Sequence, residues 1–184
     1  MLWVIGIPVL AGSAAELAVD WPRVLGGEVI VEPVETNDGV PGVRAVFAVV
    51  APRERIWAVL LDYDNFPKIF EGISKMQVLS QDEGGAVIEY WIDAVVRDYH
   101  YVLSRVYEAP GRRVTWKRTA GDLERIEGSW EILDTPRPGV HLLVYESFVK
   151  VGGVVPSRVV RWRAMARARD MGERLRSWIE RKSS

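Results

Sequence analysis

Apolar residues recur along the chain at two periods, and each change of period marks a change of element. Over 28–35 (EVIVEPVE) and 43–50 (VRAVFAVV) they crowd into two short β-rich runs. The turn-forming stretch Thr36-Asn37-Asp38-Gly39-Val40-Pro41-Gly42 between the runs predicts a long hairpin. Ala51-Pro52-Arg53-Glu54 then opens a short helix, with Pro52 at the first helical position and Ile56, Trp57, Leu60 and Leu61 at helical spacing. Asp64 or Asn65 is placed to cap a second short helix around 67–70, which Gly72 ends.

From 75 to 150 the pattern is that of repeated strands, predicted at 76–80, 86–95, 99–107, 113–118, 128–133 and 141–149. Turn residues at 82–85, 109–111 and 135–139 separate them, and no segment between them is long enough for a crossover helix. The spacing therefore predicts an antiparallel meander. Gly152, Gly153 and Pro156 introduce a final helix running to about residue 182. On it Val160, Ala164, Ala168, Met171, Leu175 and Trp178 step by three or four residues and share one face. Ala164 and Ala168 stand where a filled core carries Leu or Ile. A concave sheet would leave a void beneath them, unless Trp and Tyr rings fill it.

Three motifs lie in order on these elements. Asp62-Tyr63-Asp64-Asn65-Phe66-Pro67-Lys68-Ile69-Phe70 resembles the DYxNYPxF segment of the START-like (SRPBCC) superfamily, near its polyketide cyclase/dehydrase and coenzyme Q-binding members. Gly128-Ser129-Trp130-Glu131-Ile132 resembles the G-x-W strand of that superfamily, and Gly152-Gly153-Val154-Val155-Pro156 its GG-x-x-P lead into the last helix. The resemblance covers 44–182. It implies an α+β helix-grip fold: an antiparallel sheet wrapped around a long C-terminal helix, with two short helices after the first strand. Residues 16–43 then form an N-terminal extension carrying an extra strand. The resemblance also implies a hydrophobic cavity between sheet and helix but no single activity, since members carry lipids, bind quinones or sterols, or cyclise polyketides.

Composition narrows the chemistry. With 184 residues, 48% hydrophobic and 27% charged, the chain builds one ordinary core. Its 24 basic and 25 acidic residues argue against a nucleic-acid binder. Zero cysteine and two isolated histidines, His100 and His141, leave no thiolate chemistry and little for a metal, so no cofactor is expected. No phosphate-binding glycine loop or nucleophile elbow occurs.

The two ends of the chain differ from its body. Residues 2–10 (LWVIGIPVL) are apolar, too short to span a bilayer, and run into Ala11, Gly12, Ser13, Ala14 and Ala15. This pattern predicts an export signal over 1–15, with the mature protein beginning near Ala14 to Glu16 in the periplasm or outside the cell. No Lys or Arg stands ahead of the run, and a buried strand in a cytoplasmic protein is the other reading. Residues 1–152 carry 15 basic and 22 acidic residues, whereas 153–184 carry 9 basic and 3 acidic. The basic helix is read as a solvated face or as a contact for anionic lipid headgroups, with Arg163 and Arg169 outermost and Arg161 at the edge of the apolar stripe.

Eight Trp, six Tyr and four Phe supply more flat apolar surface than a domain of this size needs. Strand alternation puts Tyr99 and Tyr101 on one face and turns His100 to the other. It places Tyr90 inward and Trp91 outward, groups Trp116 with Arg118, and, through the resemblance, turns Trp130 inward. Tyr145 and Phe148 are left unassigned, and His141 is expected to be exposed. These readings predict a hydrophobic ligand such as a lipid, quinone or polyketide-like molecule, bound without catalysis. Tyr90, Tyr99, Tyr101, Trp116, Trp130 and Tyr145 would form its walls, Ala164 and Ala168 its roof, and Arg118 or Arg161 its polar anchor. The alternatives are a cyclase or dehydratase using the same cavity, and a partner-binding module that uses the basic helix.

Overall fold

The computed structural model describes residues 18–93, 98–152 and 157–181, with side chains of the last stretch from 164 onward. The export signal expected over 1–15, and the start expected near Ala14 to Glu16, lie outside the described residues. Eight antiparallel strands form one sheet: β1 (Ile30–Glu35), β2 (Pro41–Val50), β3 (Ile73–Gln81), β4 (Gly85–Ile92), β5 (Tyr99–Ala109), β6 (Arg113–Gly121), β7 (Arg125–Asp134) and β8 (Val140–Lys150). Their order across the sheet is β1-β2-β8-β7-β6-β5-β4-β3, so the N-terminal hairpin pairs with the last strand. The helix α4 (Ser157–Glu180) lies across β2 and β1, which makes this a helix-grip α+β fold.

Several strands run longer than the apolar pattern predicts, because ladder partners extend pairing into polar residues. β3 runs on to Gln81 opposite Ala86, and β7 reaches back to Arg125 opposite Lys150. Between β2 and β3 lie α2 (Arg53–Leu60), a 3₁₀ turn (Tyr63–Asn65) and α3 (Phe66–Ile69). Pro52 stands at the N-cap of α2 rather than its first helical position. Asn65 stands at the N-cap of α3 but does not cap it through its side chain. Its amide donates to Asp62 at 2.7 Å and its carbonyl oxygen accepts from Lys68 at 2.7 Å.

A five-residue helix, α1 (Trp21–Leu25), was not expected from the apolar periodicity, which needs more than one turn to show. Its end signals were nevertheless present: Asp20 accepts from the Arg23 amide, Pro22 sits in the first turn and Gly26 follows the last. The helix covers the outer face of the sheet, where Val24 packs with Val46, Ala48, Val140, Leu142 and Val144. The inner face of β2, with Val43, Ala45, Phe47 and Val49, joins the main core under α4. β2 is thus buried on both faces, which explains its nearly continuous apolar run.

α4 is anchored at its C-terminal end. Leu175 and Ile179 are fully buried, and Arg55 donates to the carbonyl oxygens of Ile179 and Arg181. The Glu180 carboxylate accepts from the Val50 amide at 2.8 Å. Gly172 lets the helix approach closely, since a Cβ there would come within 2.8 Å of Val29. Trp178, expected on the stripe, is half-buried, and Ile179 carries the burial at this end.

Candidate functional site

The N-terminal half of the described part of α4 does not fill the sheet beneath it. A cavity of about 340 Å³ opens there, within the range of small-molecule sites. Strand alternation builds its walls: Tyr90 and Ile92 from β4, Tyr101, Leu103 and Arg105 from β5, Trp116 from β6, Ile126 and Trp130 from β7, and Tyr145, Ser147 and Val149 from β8. Ala164, Arg167, Ala168 and Met171 close it from α4, while Phe70, Glu71, Asp170 and Arg174 border it. The small side chains at 164 and 168 leave the space that larger residues would occupy.

The rings form two packed groups. Trp116 stacks on Tyr145 with centroids 5.8 Å apart and planes 27° apart, and Tyr145 meets Trp130 at 4.7 Å. Tyr90 stacks on Tyr101 at 5.5 Å. Trp130 also meets Phe47 edge-on at 6.3 Å, which ties the wall to the core under α4. The glycine of the G-x-W segment explains how Trp116 lies: Gly128 is its partner across the β6–β7 ladder, and a Cβ there would run into the indole and the Glu146 carbonyl.

Arg105 is the unexpected member of this wall. It is 4% exposed, and among the described residues it forms no ion pair with a carboxylate. Its guanidinium carbon lies 5.0, 5.3 and 5.6 Å from the ring centres of Tyr63, Phe66 and Trp116, and its Nε is buried without a hydrogen-bond partner. Desolvating a lone charge costs several kcal/mol, and each desolvated cation–π contact returns about 2 kcal/mol, so the three rings are what makes the position tenable. Behind them the hydroxyls of Tyr63 and Tyr107 share a 2.9 Å hydrogen bond.

Burial pushes the Tyr90 phenol up, and the charge and hydrogen bond of Arg105 oppose that shift. Burial likewise raises Tyr101, reinforced by Tyr90 and Tyr145, and raises Tyr145 against an opposing hydrogen bond from Ser147. All three are therefore neutral hydroxyls at neutral pH and available as donors inside the cavity.

The residues expected to bind ligand fall into three groups. Tyr90, Tyr101, Trp116, Trp130, Tyr145, Ala164 and Ala168 line the cavity. Tyr99 packs against the same core but is not among the lining residues. Arg118 is a correction: the β5–β6 register shifts between Val102 and Leu103, and near this irregular end of the ladder the Arg118 guanidinium donates to the Gly121 carbonyl at 2.9 Å instead of entering the cavity. The side chains of Arg161 and Arg163 lie outside the described residues, and Arg169 is exposed.

Arg105 could have been found by the alternation that placed Tyr101. Position 105 is the one charge in the inward series Tyr101, Leu103, Arg105, Tyr107. Tyr145 is inward and Phe148 outward, the choice that periodicity left open.

Neither histidine lines the cavity. His100 Nε2 lies 2.6 Å from Glu89 on the outer face, where the ring packs on Trp91 at 4.9 Å. His141, expected to be exposed, is half-buried instead, because its Nδ1 donates to the Ala51 carbonyl at 2.9 Å. At the rim Arg174 pairs with Glu71 at 3.0 Å, and the Arg167 guanidinium lies against Gly72. Among the described residues no group of three or more His, Asp or Glu is placed to hold a metal ion.

Over residues 49–176 the chain matches the family model described as polyketide cyclase/dehydrase and lipid transport. It is similar in structure to a START superfamily protein from Mycobacterium smegmatis, with a TM-score of 0.65 and 18% identity over 76% of this chain and 97% of that one. It is also similar to the Zhui aromatase/cyclase from Streptomyces sp. R1128, with a TM-score of 0.63 and 17% identity over 83% and 95%. A STAR-related lipid transfer protein from Xanthomonas axonopodis matches with a TM-score of 0.65 and 16% identity over 83% and 94%. No curated protein sequence matches the chain.

Proposed function

The chain belongs to the polyketide cyclase/dehydrase and lipid transport family, and we propose that within it the protein binds a hydrophobic small molecule without transforming it. The observation that carries this reading is the aromatic-walled cavity beneath Ala164 and Ala168. A catalyst of ring closure or dehydration needs a proton acceptor beside the reacting carbon or hydroxyl. Both histidines lie elsewhere, and the two carboxylates bordering the cavity, Glu71 and Asp170, stand at its rim, where Glu71 is paired with Arg174. The phenols inside are donors held neutral, which suits orienting an oxygen-bearing ligand better than removing a proton from it.

The same reading has the basic face of α4 bring the cavity mouth to anionic lipid, with Arg169 and Arg163 as contacts. Native mass spectrometry of the purified protein tests the binding function. A co-purified apolar molecule, released on denaturation and absent from an Ala168→Leu variant, is the expected result. A ligand-free protein that also fails to take up hydrophobic probes would overturn it.

A further inference from the structure

We propose that the ligand is an organic acid, whose ionised oxygen is seated on Arg105 inside the cavity while its apolar body lies against the aromatic wall. This deepens the binding function above and rests on it.

Three other partly buried arginines of this protein are each neutralised by an acid. Arg44, Arg53 and Arg113 are all partly buried, and each meets a carboxylate: Glu146, Asp134 and Glu131 respectively. Arg105 is more buried than any of them and meets rings. The rings surround the guanidinium and leave its positive charge unneutralised, because the quadrupole of a ring attracts a cation without cancelling it. A guanidinium also offers five N–H donors in one plane, and here Nε is buried without an acceptor. A cavity lined by an uncancelled guanidinium and by the Tyr90 hydroxyl to which it is hydrogen-bonded is complementary to a planar oxygen anion such as a carboxylate or an ionised acidic enol.

The DYxNYPxF-like segment gains a role from this arrangement. Its Tyr63 and Phe66 supply two of the three rings around Arg105, so they are positioning residues for the charge rather than ligand contacts. The Tyr63 hydroxyl is engaged by Tyr107 and the rim cation Arg174 by Glu71, while Arg167, the other cation that lines the cavity from α4, is exposed to solvent.

The test uses 2-naphthoic acid and its methyl ester, which share one apolar body and differ in charge, titrated into the whole protein by calorimetry at neutral pH. The acid is expected to bind about tenfold or more tightly than the ester, as a charge-assisted contact in a dry site requires. Arg105→Met should abolish that preference while the ester still binds, and Arg167→Gln and Arg174→Gln should each retain most of it. If Arg105→Met fails to fold, Arg105→Lys, which keeps charge but not the planar fork, should retain only part of the preference. Equal binding of acid and ester by the unaltered protein would overturn the inference and leave the binding function standing. Loss of the preference in Arg167→Gln or Arg174→Gln would overturn the assignment to Arg105. Binding of neither probe would remove the cavity as an apolar site, and both readings with it.

Discussion

The guanidinium carbon of Arg105 lies 5.0 Å from the centre of the Tyr63 ring, so a residue of the 3₁₀ turn supports a charge carried by the middle of β5. The two are held from behind, since the Tyr63 hydroxyl is tied to Tyr107 on the same strand as Arg105. Turn, strand and cavity therefore form one mechanical unit, and a change at position 63 should be felt at the site without touching a ligand.

Substitutions at Tyr63 separate the ring from its hydroxyl. Tyr63→Phe keeps the ring and loses the hydrogen bond, for a cost of about 1 kcal/mol. Tyr63→Leu also loses the ring face over Arg105 and should cost about 2–4 kcal/mol. Urea unfolding of both variants, repeated with Arg105→Met, should show the extra cost of leucine shrinking once the cation is gone. An unchanged difference would mean that the ring is only packing.

Ala168→Leu, and Ala164→Leu beside it, should fill ligand volume rather than strain the core. Thermal and urea unfolding of the ligand-free variants should move by less than about 1 kcal/mol, while affinity for a hydrophobic probe falls about tenfold or more. A loss of about 1–3 kcal/mol, the usual effect of overpacking, would show the space to be already occupied.

Gly128→Ala should displace the Trp116 ring, because the new methyl group would lie where the indole crosses the ladder. A cost of about 1–3 kcal/mol is expected, together with altered near-ultraviolet circular dichroism from the Trp116–Tyr145 stack. An unaltered spectrum would mean that the ring keeps its place against Tyr145.

Alkaline pH should unfold the protein through its tyrosines. Tyr63, Tyr90, Tyr101 and Tyr145 are all raised above the ordinary phenol value of 10.0, chiefly by burial. A raised folded-state pKa gives stability that is complete below the unfolded value and is lost as pH climbs above it, because the unfolded chain releases its protons first. Unfolding free energy should therefore fall steadily above about pH 10. Phenolate absorbance from these four residues should appear together with loss of structure, and ionisation without unfolding would contradict their burial.

Replacing Arg163 and Arg169 with Gln should weaken binding to anionic vesicles about tenfold or more, since each basic residue near such a surface contributes on the order of 1 kcal/mol. Added salt should mimic the change. A wild-type protein with no salt-sensitive preference for anionic over neutral vesicles would remove the membrane from the proposed function and leave soluble binding.

Periodicity made the meander, the final helix and its small-residue roof legible, because each repeats over enough residues to exceed local noise. The inward positions of Tyr90, Tyr101 and Trp130 followed from alternation, with the G-x-W resemblance fixing the side. Other features depend on relations between distant residues. α1 is one turn long and is stabilised by the outer face of β2 and β8. Arg118 shares the parity of the wall but stands at an irregular end of the ladder, which parity does not encode. Arg105 has the right parity, yet a lone arginine in a strand reads as solvated until Tyr63 and Phe66, some forty residues earlier, are brought against it.

The pairing of β2 with β8 also sets the order in which the molecule can be assembled. Arg44 on β2 and its partner Glu146 on β8 are 102 positions apart, and β7 on the other side of β8 is equally late in the chain. A chain emerging from the ribosome therefore holds a strongly apolar strand with one unpaired edge until the 102 positions from Arg44 to Glu146 have been made. Closing so long a loop is slow, and β2 is open to mispairing throughout. Pulsed hydrogen exchange during refolding should find the β2 and β8 amides gaining protection together, in the last phase.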